Sequence, residues 1–569
     1  MILDPKERIE EYTKKGWYGN KTLIDYFEEN VARSPDSEAL VDAPNREQLD
    51  GEKPKRLTWS QLGKAVDRLA LHMLEMGVKK DDIVMVQLPN VVELAISYLA
   101  IGRIGAITTP LAVQYRRHEL RYTMGVTEPV AFITTTNFKQ FNYVEMVQDI
   151  APEFPSLKHI IAVGKNVPEG VSSFEEMVES NIEEKYPADY LNKYKPEANE
   201  IFTICWTSGT TADPKGCPRS HNNWICHARA VTDGVPLKMG ATILLPYPLV
   251  NLASLTVLYV PWLMTGGKLA LHHPFDPQVF VQQLNEENVN WVGTAPAMLN
   301  ALIQLGLLPK ANLTSELKIG SGAAPLSEWM IEEFAKYGVE IINYYGSNEG
   351  AGLFSTPQDV PDPAERAYLF PRWGAPGFTW HNKAAEMYST KLVDPTTGEV
   401  ITERGKAGEL CVKGPTVFPG YYKRPDLTQE AFDSEGYFRT GDLFCIEGEN
   451  LDRYKFVGRL KDLIIRGGQN ISPEEIEILV QGHPKVADVA AIGMPDRRLG
   501  EKVCIYVVPK PGESVTLEEI IDYLKEKDVA VFKLPERMEI IDNLPRNPVG
   551  KIVKNVLRED IKKKLGEQT

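Results

Sequence analysis

The alternation of short apolar strands with amphipathic helices is the feature that most constrains the fold of this 569-residue chain. Leu62, Val66, Leu69 and Met73 recur at helical spacing and predict the buried face of a helix that follows Thr58. Strand and helix patterns then continue in turn: IVMVQL (83–88), a helix over about 91–104, VAFIT (130–134) and HIIAV (159–163). This order predicts the α/β class, with doubly wound sheets.

The pattern of strand-like segments and glycines changes after about Gly408, which indicates a second architecture. Shorter strand-like segments with many glycines predict a small β-barrel or distorted sheet. A stretch dense in charge and glycine, 458–469, then precedes a compact α/β unit whose helices have capping-box starts at Ser472 and Thr516. We therefore expect a large N-terminal domain and a small α+β C-terminal domain, with the bounds 1–460 and 461–569.

Composition and charge exclude several classes of protein. The net charge of −15 offers no basic surface to a phosphate backbone, so we expect no nucleic-acid partner. The six cysteines have neither CxxC nor zinc-like spacing, which indicates a reducing compartment. The N-terminus lacks the apolar core of a signal peptide, and prolines interrupt the uncharged stretch 239–267. We expect a cytoplasmic protein without a membrane span, in which 239–267 forms a buried strand, loop and helix.

The stretch TSGTTADPKG (207–216) carries the most chemical information. Its hydroxyls and free backbone N–H groups follow the apolar run IFTIC (201–205), which suits a loop that holds a polyphosphate. It is not the P-loop of kinases and GTPases, because Lys215 precedes Gly216 rather than Ser or Thr. Taken alone, a solvated turn would explain it better. The candidate phosphate-binding residues are Thr207, Ser208, Gly209, Thr210, Thr211 and Lys215.

With the motifs that follow it, this loop resembles the hallmark of the adenylate-forming superfamily of acyl-CoA synthetases, peptide-synthetase adenylation domains and luciferases. Ala212 stands where glycine is usual, which removes no functional group. The segment 322–325 resembles the adenine-side loop, and YGSNE (345–349) resembles the motif whose aromatic ring stacks on adenine. The resemblance implies nucleotide contacts at Gly322, Ala323, Ala324, Pro325, Tyr345, Gly346 and Asn348, and a catalytic Mg²⁺ ligand at Glu349.

Asn348 departs from the family, which uses threonine there to bind the α-phosphate. An amide can still donate to a phosphate oxygen, so we keep the role. YFRTGDL (437–443) is similar to the segment whose aspartate, here Asp442, accepts hydrogen bonds from the ribose hydroxyls. Each of these residues taken alone would be a common surface or turn residue, and their order along the chain carries the prediction.

The stretch GRLKDLIIRGGQNISPEEIE (458–477) resembles the hinge between the large domain and a mobile small domain. Arg459 would contact ribose or phosphate, and the backbone of Lys461 would rotate when the small domain swings. Gly467 and Gly468 would then line the pantetheine tunnel of coenzyme A, where a side chain would obstruct the thiol arm. RNPVGKIVKNVLR (546–558) resembles the C-terminal catalytic segment, with Lys551 orienting the substrate carboxylate and offsetting charge during transfer.

The resemblance implies an acid–thiol ligase that uses ATP, Mg²⁺ and coenzyme A. A carboxylate would attack the α-phosphorus of ATP to give acyl-AMP and pyrophosphate, and a thiolate would then displace AMP. Two alternatives stay open: the acceptor is the phosphopantetheine of a carrier protein, or the chain is a nucleotide hydrolase or regulator that forms no acyl-AMP. Formation of ADP in place of pyrophosphate exchange would favour the last.

The sequence determines the identity of the carboxylic acid substrate least. The resemblance places its pocket between the phosphate loop and Glu349, with Val250, Asn251 and Leu353 as candidate walls. Aryl-activating relatives often have a histidine where Leu249 stands, and the apolar neighbours favour a medium-chain, alicyclic or aromatic acid. His221 and His227 are interpreted as packing or substrate-lining residues rather than bases, because an ionised carboxylate needs none.

Overall fold

The computed structural model describes residues 1–207, 213–322, 326–467, 469–527, 529–547 and 550–566. Within these ranges the chain forms a large N-terminal domain with two mainly parallel sheets and one antiparallel sheet, followed by a smaller C-terminal domain. The predicted α/β class and the division into a large and a small domain are confirmed.

The strands of the described residues are numbered in chain order. They are β1 (Glu38–Val41), β2 (Arg56–Thr58), β3 (Ile83–Val86), β4 (Ile107–Pro110), β5 (Ala131–Thr135), β6 (His159–Val163), β7 (Ser172–Ser173), β8 (Ile201–Trp206), β9 (Gly216–Ser220), β10 (Ile243–Leu245), β11 (Leu269–Leu271), β12 (Trp291–Thr294), β13 (Lys318–Gly322), β14 (Glu340–Gly346), β15 (Gly352–Ser355), β16 (Leu369–Pro371), β17 (Ser389–Val393), β18 (Val400–Ile401), β19 (Ala407–Lys413), β20 (Phe438–Glu447), β21 (Arg453–Arg459), β22 (Ile464–Arg466), β23 (Gln469–Ile471), β24 (Val486–Asp496), β25 (Gly500–Pro509) and β26 (Arg537–Ile540).

The α-helices are numbered in the same way. They are α1 (Lys6–Lys14), α2 (Leu23–Arg33), α3 (Arg46–Asp50), α4 (Trp59–Glu75), α5 (Val92–Arg103), α6 (Arg117–Thr127), α7 (Tyr143–Ile150), α8 (Phe174–Glu179), α9 (His221–Gly234), α10 (Leu252–Ser254), α11 (Val260–Thr265), α12 (Pro277–Glu286), α13 (Pro296–Gln304), α14 (Glu328–Ala335), α15 (Pro363–Arg366), α16 (Pro425–Ala431), α17 (Pro473–Gln481), α18 (Leu517–Glu526) and α19 (Lys554–Lys564).

Two sheets form the body of the large domain. The first has the order β7-β6-β5-β3-β4-β8-β9, in which only β9 is antiparallel to its neighbour. The second has the order β15-β14-β13-β12-β10-β11-β1-β2, with antiparallel strands at both edges. Since parallel strands need crossover connections, the intervening helices cover the sheet faces, as the alternation of patterns predicted.

The third sheet of the large domain lies where the sequence predicted a barrel or distorted sheet. Its order is β16-β21-β20-β19-β17-β18, and its strand pairs are antiparallel. The C-terminal domain has its own sheet, β23-β22-β25-β24, with β26 parallel to β25. Two apolar clusters of this domain contain only residues beyond 463, so it has its own core.

Local signals located most of these elements to within a few residues. The apolar run 83–88 contains β3, the run 159–163 is β6, and the helix expected over about 91–104 is α5. Thr516 forms the predicted capping box of α18. At α17 the box is incomplete: the Ser472 hydroxyl accepts from the Glu475 backbone N–H, but the Glu475 carboxylate pairs with Lys533 instead.

The uncharged stretch 239–267 folds as predicted into buried strand, loop and helix. It contains β10, the loop to 251, α10, a π-helical turn (Leu255–Tyr259) and α11. None of the helices in the described parts of the chain has both the length and the apolarity that a membrane crossing requires.

Candidate active site

A cavity of about 1720 Å³ lies between the large and small domains. It is lined by residues from all three sheets of the large domain and from the loop before α19. Most of the predicted site residues that the structure describes share this cavity: Thr207, Lys215, Val250, Asn251, Gly322, Tyr345, Gly346, Asn348, Glu349, Asp442, Arg459, Lys461 and Lys551.

Two predicted residues do not line the cavity. Leu353 is fully buried in β15, and the wall there is formed by its neighbour Phe354. Because successive side chains of a strand point to opposite faces, only one of the two can face the cavity. Gly467 lies at the end of β22 with a positive φ of 59° and donates to the Leu499 carbonyl, away from the cavity.

Some predictions fall on residues outside the described ranges. They are Ser208, Gly209, Thr210, Thr211, Ala323, Ala324, Pro325 and Gly468.

The described ends of the phosphate loop are tied together at its base. Strand β8 leads into the loop and the antiparallel β9 leads out. The Thr207 backbone N–H donates to the Lys215 carbonyl, and the Lys215 N–H donates to the Thr207 hydroxyl, each at 3.0 Å. The Lys215 ammonium lies 4.6 Å from the centre of the Tyr421 ring. Both ends of the loop are therefore fixed, with a cation at the cavity wall.

Gly322 is needed at the end of β13 because the backbone of β14 comes close. A β-carbon there would lie 2.1 Å from the Tyr344 carbonyl oxygen. No L-residue with a side chain fits without moving one of the two strands. Glycine at position 322 thus follows from close strand packing next to the cavity.

Tyr345, Asp442 and Arg459 form one hydrogen-bonded and ionic group. The Tyr345 hydroxyl donates to Asp442 at 2.7 Å, and the Arg459 Nε lies 3.4 Å from the other carboxylate oxygen. Asp442 and Arg459 are paired across β20 and β21. Burial raises the pKa of Asp442, while the Arg459 charge and the Tyr345 hydrogen bond oppose that rise. This arrangement holds an acceptor carboxylate beside an aromatic ring, as a nucleoside site requires.

Asn348 has partners that the sequence did not predict. Its amide NH₂ donates to the Trp206 carbonyl, and its amide oxygen accepts from the Leu252 backbone N–H, both at 2.8 Å. The side chain thus connects the strand before the phosphate loop to the start of α10. Its other amide hydrogen has no acceptor among the described residues and could donate to a phosphate oxygen.

Glu349 is half-buried and oriented by a residue distant in sequence. One of its carboxylate oxygens accepts from the Tyr421 hydroxyl at 2.9 Å. Among the described residues, no protein group donates to the other oxygen, and no group of three potential metal ligands occurs there either. One carboxylate together with substrate phosphates is a usual way of holding Mg²⁺, so Glu349 fits the predicted role.

Lys551 projects into the cavity from a tight turn. The Asn547 N–H donates to the Lys551 carbonyl at 2.8 Å, and the Lys551 N–H donates to the Asn547 side-chain oxygen at 2.9 Å. Burial, helped by the Arg459 charge, lowers the pKa of Lys551 to about 8, while Asp442 and Glu349 oppose the change. The electrostatic neighbours of Lys551 are therefore the residues predicted to surround the nucleotide.

Lys461 lies in a single 3₁₀ turn (Leu460–Asp462) directly after β21. This turn connects the antiparallel sheet of the large domain to β22 of the small domain. The chain thus passes from the large to the small domain at this turn, and the rotation of the Lys461 backbone stays a prediction.

The two histidines near the phosphate loop are both buried and neutral. His221 accepts from the Leu23 backbone N–H at 3.2 Å and packs on Phe202, and burial lowers its pKa to about 3. His227 lines the cavity, and burial and the Arg219 charge hold its pKa well below the ordinary value. Neither has the carboxylate partner that would orient a general base, among the described residues.

Comparison with known proteins defines the class. Residues 27–422 match the AMP-binding enzyme family, and residues 475–551 match the C-terminal domain of the AMP-binding enzymes. The chain therefore belongs to the AMP-binding, adenylate-forming enzyme family, as the motifs predicted.

Two curated relatives span nearly the whole chain. The medium-chain fatty-acid–CoA ligase of Escherichia coli is 31% identical, over 98% of this chain and 94% of that protein. The 2,3-dihydroxybenzoate-AMP ligase of Bacillus subtilis is 27% identical, over 99% of this chain and 97% of that protein. Acyl-activating and aryl-activating enzymes are thus both among its relatives.

Solved structures give the same fold. ATP-bound MatB from Rhodopseudomonas palustris superposes with a TM-score of 0.77 at 26% identity, covering 96% of this chain and 100% of that one. The anthranilate CoA ligase AuaEII with anthranoyl-AMP has a TM-score of 0.81 at 20% identity, covering 96% and 98%, which supports the fold alone.

Proposed function

We propose that this chain is an ATP-dependent acid–thiol ligase that forms an acyl-AMP and then an acyl-CoA. The observation that carries the proposal is the convergence of Lys551, Asp442, Arg459 and Glu349 in one interdomain cavity beside the fixed ends of the phosphate loop. A nucleotide hydrolase would have no use for a lysine brought from the other domain to this point.

In the first half-reaction a carboxylate oxygen attacks the α-phosphorus of ATP, and the bond to the pyrophosphate oxygen breaks. Lys551 orients the carboxylate and offsets the negative charge of the transferring group. Asp442 accepts from the ribose hydroxyls while Tyr345 packs against adenine. Glu349 would hold a magnesium ion, which supplies charge neutralisation at the phosphates when bound.

In the second half-reaction a thiolate attacks the acyl carbonyl and the bond to the AMP oxygen breaks. We propose the domain boundary at 460/461, with rotation at Lys461 moving Lys551 out and bringing Gly467 and Gly468 toward the pantetheine arm. Gly467 does not line the cavity in the present arrangement, which is the expectation before such a rotation.

We propose a medium-chain, alicyclic or aromatic acid as the substrate. The residues that line the cavity include apolar and aromatic groups of the kind that is typical of pockets for such acids. They are Val250, Leu252, Val257, Tyr344 and Phe354. The second candidate acceptor is a phosphopantetheinyl carrier protein, which the likeness to an aryl-acid AMP ligase favours.

The test is carboxylate-dependent ATP–pyrophosphate exchange over acetate, hexanoate, cyclohexanecarboxylate, benzoate and dihydroxybenzoate. We expect exchange with one acid class, lost by at least 100-fold in Lys551→Ala. The matched control is Lys563→Ala, an exposed lysine on α19, which should exchange like wild type. Steady ADP release without exchange would refute the ligase function and identify a hydrolase. The acceptor is then decided by supplying coenzyme A or a holo-carrier protein to the preformed adenylate.

A further inference from the structure

Arg219 is a fully buried cation next to the acyl part of the cavity. It lies on β9, and its guanidinium donates to the Asn348 carbonyl at 3.1 Å and lies 4.5 Å from the Trp224 ring. Among the described residues it makes no ion pair with a carboxylate, and its Nε has no partner. A buried charge without an ion-pair partner lowers the stability of the fold. We therefore expect the positive charge of Arg219 to have a function.

The guanidinium determines which nitrogen of His227 carries the proton. Arg219 Nη2 lies 3.3 Å from His227 Nδ1, and an arginine can only donate. Nδ1 is therefore an acceptor, and Nε2 carries the hydrogen of the neutral ring. Within the described ranges this Nε2–H is buried without a partner. His227, which lines the cavity, thus carries a buried hydrogen-bond donor on Nε2, polarised by the cation behind it.

Two glycines allow close packing here, one against this donor and one against Leu252. Gly352 on β15 pairs in register with Gly346 on β14. A β-carbon at Gly352 would lie 2.4 Å from His227 Nε2, and one at Gly346 would lie 2.7 Å from a Leu252 methyl group. The strand pair therefore lacks side chains where the imidazole and the pocket wall meet.

A second polar group in the same region is also without a partner. Thr256, in the π-helical turn, lines the cavity with its hydroxyl fully buried and unpaired among the described residues. The turn packs against α9, which carries His227. A purely apolar acid would leave both donors unpaired in its presence, whereas an oxygen on the acid would satisfy at least one.

We propose that the acid carries a hydrogen-bond-accepting oxygen on its chain or ring, away from the reacting carboxylate, and that His227 Nε2–H donates to it. The acid class is thus an otherwise apolar carboxylic acid with a hydroxyl, ether, keto or second carboxylate oxygen. This inference rests on the proposed ligase function and specifies its substrate. His227 is a specificity-determining residue, and Arg219 positions it by fixing its tautomer.

The experiment compares matched acids in the pyrophosphate-exchange assay. The pairs are benzoate with 2-, 3- and 4-hydroxybenzoate, and hexanoate with 5-oxohexanoate and 6-hydroxyhexanoate. For each we measure kcat/KM of the oxygenated acid divided by that of its parent. We expect a ratio of at least about five for one member in wild type, the effect of satisfying one buried donor.

Substitutions then assign the preference to His227. In His227→Phe the ratio should fall to about one, whatever the change in absolute rate. In His227→Gln it should be retained, because the amide oxygen can accept from Arg219 while the NH₂ donates to the acid. His221→Phe, on the same helix but outside the cavity, is the control and should keep the wild-type ratio.

The possible outcomes separate the role of His227 from the ligase function. Exchange with parent acids and ratios of one or less throughout would overturn this inference and leave the ligase function standing. No exchange with any acid would refute both. An unchanged ratio in His227→Phe would assign the preference elsewhere and so reject His227. Should that variant fail to fold, as judged from its melting temperature, His227→Leu replaces it, because leucine also lacks a donor and should lower the ratio to about one.

Discussion

The depressed pKa of Lys551 makes a quantitative prediction about pH. Burial and the Arg459 charge lower its pKa from 10.5 to about 8 in the protein without nucleotide. That change corresponds to about 3 kcal/mol of preference for the neutral amine. Since catalysis needs the ammonium, kcat/KM for adenylation should fall about tenfold for each pH unit above about 8.

The pH at which the rate falls differs between the two kinetic parameters. The kcat/KM profile reports the free enzyme, whereas kcat reports the enzyme with its substrates bound. Bound triphosphate places negative charge beside Lys551, which favours the ammonium and raises its pKa. The alkaline limb of kcat should therefore lie at higher pH than that of kcat/KM.

The same pKa also affects stability. An ammonium whose pKa is lowered by folding destabilises the folded state wherever it is charged, that is below about pH 8. This destabilisation is relieved as the pH rises from about 8 to 10.5, so Lys551→Met should stabilise the protein at pH 7 more than at pH 10. Urea unfolding of both proteins at the two pH values measures the difference.

The assay is the initial rate of pyrophosphate exchange from pH 6 to 10, with Lys551→Arg as the matched variant. Arginine keeps its charge over the whole range, so its profile should have no limb near pH 8. A wild-type limb of kcat/KM above pH 10, or a limb near 8 that persists in Lys551→Arg, would show that Lys551 is not the titrating group and would refute the reasoning.

Two further substitutions test the geometry. Gly322→Ala should lower the free energy of unfolding by about 1–3 kcal/mol, because its β-carbon would lie 2.1 Å from the Tyr344 carbonyl oxygen; a urea midpoint equal to that of wild type would contradict the strand packing. Asn348→Thr should raise KM for the acid about tenfold, because the shorter side chain loses its hydrogen bonds to Leu252 and Trp206. If instead only KM for ATP rises in that variant, the residue acts on the phosphate alone.

The sequence by itself determined the local structure and the class. Apolar periodicity located β3, β6 and α5, and the Thr516 signal located the start of α18, because spacing along one strand or helix decides which side chains share a face. The order of the motifs along the chain predicted the family to which it belongs.

Only the tertiary structure decided which residues meet. The donor to Glu349 is Tyr421, 72 positions away, and the charge that depresses the pKa of Lys551 comes from Arg459 in a strand of the other domain. The order of strands in the sheets and the relative placement of the two domains create these contacts, and no local pattern encodes either. For the same reason Phe354 rather than Leu353 lines the cavity, and Arg219 determines that Nε2 is the donor nitrogen of His227.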